Sequence, residues 1–554
     1  MRIALFLPGL LLCVPSRAWD ADFHNLCEHV RNQSIAVDPS LANRTTFVCG
    51  QEYAKNTEPA DYITTTLDQC LLLNSGWEKS RIDQPSQWAG PLVGFLVPSL
   101  GFIISIPREW NIPAPSGGIG KGVFISMVWA VINLFSLVFD TLIGIAVVFG
   151  WAGPYIAGAL HETFVDWAIL QKIRRIMRVE SGEPPRRPTE SEWFALAITL
   201  VGAFDVNTRS NPNLQRFADI VKAEIERPYS AYIFLKQSCV QLVPFGIQVG
   251  VPLVFYVAAS IYSLIDAQAR LGDNDTAHSI AFGLWYYTIV LVAIMSSMVL
   301  SAGAGRIIEA VMARHNLTDK DHKLKWLCER RWVLYQWSRE TIHNGNAAMV
   351  RLDPQYSDIF DQHFGLRSAV LAVLILFMPW AFAFTVSYTT PEIGVSCRSA
   401  TVLAYAISQV LLIVLWFFHS SPGVRNARIA AKGRNKAKYY ALWAITGMYY
   451  LVGVVALCIT IAGTIMQLVG VYRNCVCKAG LWDGFPTTPL SARTTAVVKL
   501  STDTQADRDQ AYHWMVLGGS GVGWLVILCA LAGWHRVRMR QRCLELIDEL
   551  YDRA

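Results

Sequence analysis

Charged residues are scarce in this sequence: Asp, Glu, Lys and Arg supply 16% of 554 residues, while 53% are hydrophobic. A soluble domain carries about a quarter charged residues, so an ordinary cytosolic enzyme, a disordered chain and a fibrous protein are excluded. Motifs that would carry chemistry are missing as well. His161-Glu162-Thr163-Phe164-Val165 opens like the zinc-protease helix H-E-x-x-H, but Val165 stands where the second ligand is needed. Ser116-Gly117-Gly118-Ile119-Gly120-Lys121-Gly122 has the outline of a phosphate loop, yet Pro115 replaces its first glycine and Gly122 its Ser or Thr. Asp140 and Asp166 are two acids in apolar surroundings, but no Gly-x-Gly-Asp accompanies either. No internal repeat stands out, which argues against inverted-repeat carriers. Neither a primary pump nor any cofactor or metal is expected, and the motifs point to no known family.

What is present is a series of apolar blocks. Residues 1–18 read as a cleavable signal peptide: Arg2, an apolar run from Ile3 to Val14, and small residues at the cleavage positions before Trp19. About twelve apolar residues are too few to cross a hydrocarbon core of roughly 30 Å. The mature chain then starts on the luminal or extracellular side with a polar, cysteine-containing segment, 19–88.

Apolar spans follow near 89–106, 122–149, 151–170, 239–264, 281–303, 368–388, 399–419, 441–466 and 513–534. The expected fold is an all-α polytopic membrane protein with about nine transmembrane helices. Five lie in a first group, 89–303, with a cytosolic or interfacial insert at 171–238. A basic cytosolic loop, 304–367, separates them from a second group of four, 368–534, and a basic amphipathic tail, 535–554. The apolar stretch Trp193–Phe204 is too short to span and reads as interfacial or re-entrant; a topology in which it crosses and 151–170 does not is the rival.

Lys and Arg collect after the third, fifth, seventh and ninth spans: Lys172, Arg174, Arg175 and Arg178; Arg306 to Arg331; Arg425 to Lys438; and Arg536 to Arg542. By the positive-inside rule these loops and the carboxyl terminus are cytosolic. The formal charge of +6 is thus a topology signal, and nucleic acid is not an expected partner. The expected partner is the bilayer, with anionic lipid against the basic, Trp-containing cytosolic loop. In the tail, Cys543, Leu546, Ile547 and Leu550 mark an amphipathic helix whose partner is either lipid or the protein's own cytosolic face.

The same topology places Cys27, Cys49, Cys70, Cys397, Cys475 and Cys477 in the oxidising compartment, an even number suited to disulfides. At least one bridge is expected to tie the amino-terminal segment to a membrane loop. A metal pair at Cys475-Val476-Cys477 is the lesser reading, because no further His or Cys stands at ligand spacing. Sequons at Asn32, Asn43 and Asn274 fall in the lumen, whereas the one at Asn316 is cytosolic.

The second and third spans read as a tight hairpin through Gly150-Trp151-Ala152-Gly153-Pro154. Asp140 and Glu162 would then meet near the bilayer midplane, with His161 beside Glu162 and Asp166 on the same face at i+4. Ionisable groups at that depth mark ion, proton or substrate paths, and two adjacent acids would titrate as a coupled pair. The competing structural reading has Asp140 bracing the hairpin while Glu162 and Asp166 lie in a shallower, interfacial helix. Gly246/Gly250 and Gly519/Gly523 read as close-packing pairs, and Pro98, Pro244, Pro252 and Pro379 as kinks. Three functions stay open: a transporter or channel built on the acids, an accessory or receptor-like protein acting through its luminal cap, and a membrane enzyme on a lipophilic substrate.

Overall fold

The computed structural model describes residues 23–51, 53–54, 56–73, 88, 90–105, 123–178, 188–201, 223–242, 244–271, 274–300, 364–390, 395–420, 436–472 and 497–554. The expected leader, Cys475, Cys477, Asn316 and most of the basic loops lie outside the described residues. The described elements are nearly all helical: α1 (Phe23–Val37), α2 (Leu67–Leu73), α3 (Val97–Ser105), α4 (Val123–Gly150), α5 (Ala152–Met177), α6 (Glu190–Val201), α7 (Pro228–Gln241), α8 (Val251–Ala269), α9 (Asn274–Met298), α10 (Phe364–Thr389), α11 (Cys397–Ser420), α12 (Lys436–Val469) and α13 (Gln505–Arg553). Wider π-type turns, Gly90–Leu96 and Gly246–Gly250, lead into α3 and α8.

Helix forms at each of the nine apolar stretches, but among the described residues six helices (α8 to α13) are long and apolar enough to cross a membrane, or seven if the bent pair α4–α5 is one span. Two things separate this from the expected nine. The helical stretch Gly90–Ile103 is short, at about 1.5 Å per residue well under a 30 Å core. The second and third spans share a single elbow.

Helix α9 is the central post, buried over almost its whole length. Helices α3, α5, α8, α10 and α13 pack around it. Its sequence permits this, because between His278 and Met298 it carries no charge and presents aromatic and β-branched residues on every side. The surrounding helices turn Phe135 and Phe139 (α4), Phe255 and Tyr262 (α8), Phe377 (α10) and Ile527 and Leu531 (α13) outward, exposed. Lipid is the solvent that suits such a surface.

The glycines that allow close approach are not the expected ones. Nothing lies within 4 Å of a Cβ built at Gly246, Gly250, Gly519 or Gly523. Gly518 and Gly521 instead receive Leu264 of α8 and Leu284 of α9, and Gly463 receives Trp285. On α13 the packed face is therefore nearly opposite the Gly-x-x-x-Gly face.

A small folded cap sits at one end of the bundle. Strand β1 (Thr64–Thr66) pairs antiparallel with β2 (Val497–Lys499), Thr65 opposite Val498. Leu26, Val30, Phe47, Ile63, Leu67, Val498 and Leu500 form its core. A Cys27–Cys49 disulfide closes it, with Cα atoms 5.9 Å apart. Cys70 and Cys397 are each in disulfides as well. The cap joins α13 through Asp503, which adopts φ +61°. Its carboxylate is held by Arg508 Nε (2.8 Å) and Nη2 (2.7 Å), while Arg508 Nη1 donates to Thr57 O. Thr504 and Asp507 then start α13 with a capping box.

At the opposite end a second core gathers Ile169 and Ile173 of α5, Trp193 and Leu196 of α6, Phe234 and Leu235 of α7, and Leu546, Ile547 and Leu550 of α13. The described part of the stretch read as interfacial, Trp193 to Val201, is thus helix packed on protein, and the tail's apolar stripe is covered by the chain itself. Helix α13, 49 residues and about 73 Å long, connects the two end structures.

Candidate functional site

The break between α4 and α5 lies inside the bundle. Its anchor, Gln409, is at the middle of α11, and its neighbour Gly453 is at the middle of α12. A helix end at that depth leaves carbonyls and amides that no water can satisfy. Here α11 supplies the partners. Tyr405 OH donates to Phe149 O (2.7 Å), Gln409 Nε2 donates to Gly150 O (2.7 Å), and Gly153 N–H donates to Gln409 Oε1 (2.9 Å). One amide side chain thus caps the end of α4 and the start of α5. Phe149 is packed by the rings of Trp285, Tyr286 and Tyr405, each centroid 5.0 Å away. Trp151 fills the notch at Gly453, and Gly153 allows α5 to sit against Ile413.

This elbow corrects the expected hairpin. The two helices turn by 79° and do not fold back on each other. Asp140 lies ten residues before Gly150 and Glu162 ten after Ala152, so arms of about 15 Å set their backbones about 23 Å apart. The loop itself, expected at the membrane surface, lies level with the middles of α11 and α12, and α5 carries Glu162 from there toward the end opposite the cap.

His161, Glu162 and Asp166 do stay together. All three are buried, at 2%, 2% and 1% exposure, on a helix enclosed by α9, α10, α11, α13 and α6. Phe164, between them, stacks on Phe364 at the start of α10 (6.0 Å). Across from Asp166 stands His535 of α13, within electrostatic reach. The adjacent Arg536, also buried, donates to the carbonyls of Ser297 and Val299 where α9 ends. The acids therefore belong to a mixed ionic layer at the end of the bundle, where α5 enters the second core. Such a layer can hold a proton or order a cation; among the described residues no group of His, Cys, Asp and Glu is arranged to hold a metal.

Of the other named positions, Asn32 and Asn43 are exposed on the cap, and Asn274 is the first residue of α9. Sequence reasoning passed over Tyr405, Gln409 and Arg398. A lone Gln in the middle of an otherwise apolar span was the available signal for Gln409. Arg398 reads from sequence as an ordinary flanking cation, yet it is 5% exposed in the first turn of α11. Its guanidinium contacts His278 Nδ1 and donates to Thr390 Oγ1 (2.8 Å). Beside it is a cavity of about 10 Å³ lined by Trp285, Thr401, Gln467 and Tyr472 among others.

No family model, curated protein or solved structure matches this chain.

Proposed function

We propose that this chain is a transporter or channel-like protein of the secretory pathway or cell surface, working on a proton or small ion through the His161–Glu162–Asp166 face of α5. The observation that carries the reading is the discontinuous α4–α5 helix. Broken helices capped by side chains at mid-depth are a means by which transporters place polar groups inside a bilayer, and this one leads, about 14 to 21 Å along α5, to three buried ionisable residues. In this reading the cap is luminal, since it carries the disulfide and the exposed sequons, and the opposite end is cytosolic, since it carries Arg174, Arg175 and Arg178. Its basic loops there would face anionic lipid.

The test is flux into proteoliposomes holding the purified chain, read with a pH-sensitive dye and with potential-driven uptake of sodium, potassium and chloride. Wild type should move one of these, and Glu162→Gln or Asp166→Asn should reduce that flux at least tenfold without changing the thermal midpoint of unfolding. Wild-type liposomes no leakier than empty ones to every ion would sink the reading. That result would favour the second one, an accessory or receptor-like protein, for which the cap is the supporting observation because it has a hydrophobic core of its own. Orientation is tested separately by glycosylation: Asn32 and Asn43 should be modified and Asn316 should not.

A further inference from the structure

Among the described residues Arg398, a buried cation, has no ion pair. Its terminal nitrogens meet only the His278 ring and the Thr390 hydroxyl, both groups that need carry no charge, and its Nε makes no hydrogen bond. Among the described residues the other titratable group near it is Tyr472, whose hydroxyl donates to Thr401 (3.0 Å). Among the described residues no carboxylate is paired with it. Burying a lone guanidinium costs several kcal/mol unless a counter-charge is supplied.

The adjacent cavity is furnished for a counter-charge. Trp285 Nε1, a donor, is buried without a hydrogen bond, and so is the Gln467 side-chain oxygen. Both residues line the cavity with Arg398. A half turn of the Gln467 amide presents its NH₂ in place of the oxygen. The cavity then offers donors from three elements, α9, α11 and α12. It also adjoins the first turn of α11, where a helix favours negative charge. Ala281, Phe282 and Val402 make up the apolar remainder of the wall. At about 10 Å³ the space is on the scale of a single small particle, which favours a monatomic ion over sulfate or phosphate.

We propose that this cavity is a binding site for one monatomic anion of the halide class, chloride in physiological solution, held by Arg398, Trp285 and Gln467. The site lies at the cap end of the bundle, apart from the α5 acids, and binding there does not depend on the protein transporting anything. The anion would neutralise Arg398 and join α9, α11 and α12 where α11 starts.

The experiment uses the purified full-length protein in detergent, exchanged into sodium gluconate and titrated with chloride or bromide at constant ionic strength. The thermal midpoint should rise saturably with either halide and not with sulfate, and ³⁵Cl NMR line-broadening should be reversed by bromide. Arg398→Gln should abolish both signals. Gln467→Met, on the facing wall and uncharged, should fold and weaken halide affinity about tenfold, the scale of one hydrogen bond to an ion. Should Arg398→Gln fail to fold, the Gln467→Met titration decides. Equal midpoints and line widths in gluconate and chloride would mean that the cavity holds water only, and an unchanged halide response in Gln467→Met would place the anion elsewhere; either overturns the proposal.

Discussion

Gln409 accepts a 2.9 Å hydrogen bond from the Gly153 amide, 256 residues away in the chain, while its own NH₂ donates to Gly150 three residues upstream of that amide. Gln409→Leu keeps most of the side-chain volume and removes both bonds, leaving a buried carbonyl and a buried N–H with no water to turn to. Each unsatisfied group costs about 1–3 kcal/mol, so a loss of roughly 2–5 kcal/mol is expected in reversible unfolding from mixed micelles. Gln409→Glu should be worse, because the carboxylate cannot donate to Gly150 O. Stability within about 0.5 kcal/mol of wild type for Gln409→Leu, the range of a neutral surface change, would mean that the elbow is satisfied some other way.

The notch that receives Trp151 gives a second test. A Cβ at Gly453 would overlap the indole, a large rigid group walled in by α12 that cannot give way cheaply. Gly453→Val is therefore expected to cost about 1–3 kcal/mol as an overpacked site. Combining it with Trp151→Ala should recover part of that, giving a coupling of about 1 kcal/mol or more in a double-mutant cycle. Strict additivity would show that the two positions do not touch.

Much of this architecture was readable in the sequence because lipid and water impose long-range patterns. Apolar runs located the six long membrane-type helices, and the i, i+3, i+4, i+7 stripe at Cys543, Leu546, Ile547 and Leu550 located a buried face. Phase and angle were not readable. Whether α13 packs by Gly518 and Gly521 or by Gly519 and Gly523 depends on the rotation of the helix about its axis, which a uniformly apolar helix does not encode. Whether Gly150-Trp151-Ala152-Gly153-Pro154 turns the chain by 79° or reverses it depends on Gln409, Tyr405 and Gly453, all distant in sequence. The acids illustrate the consequence: Glu162 and Asp166 share a helix face, as local spacing requires, whereas the Asp140–Glu162 pairing rested on a turn angle.

At the end opposite the cap, Lys236 of α7 bonds Asp548 of α13 at 2.9 Å, beside the stacked rings of Tyr232 and Tyr551 (4.2 Å). The Tyr232 hydroxyl and then the Asp548 carboxylate hold the Lys236 ammonium above its ordinary range. A raised pKa means that the stabilisation is complete below the unfolded lysine value, about 10.4, and is lost only as pH rises through the still higher folded value. The difference in thermal midpoint between wild type and Lys236→Met should accordingly be small, since both partners are well exposed. It should also be constant from about pH 6 to 9. A difference that changes between about pH 6 and 7.5 would assign the contact to a histidine instead.

The cysteines test cap, bundle and orientation together. Alkylation of the denatured, unreduced protein should label Cys239, Cys458, Cys529 and Cys543, which are free, and should not label Cys27, Cys49, Cys70 or Cys397. Opening the 22-residue Cys27–Cys49 loop by Cys27→Ser and Cys49→Ser together should destabilise the cap by about 3 kcal/mol on the chain-entropy account. The partners of Cys70 and Cys397 are a sharper matter. Outside the described residues the sequence offers Cys13, Cys328, Cys475 and Cys477. Cys13 falls in the expected leader and Cys328 in the expected cytosolic loop, where thiols are kept reduced. Peptide mapping without reductant should therefore recover Cys70 and Cys397 linked to the peptide that holds Cys475 and Cys477, joining cap, α11 and the segment after α12. A link from either to Cys328 would put the basic loop and the cap on the same side of the membrane, and the assignment of a luminal cap and a cytosolic opposite end would then have to be withdrawn.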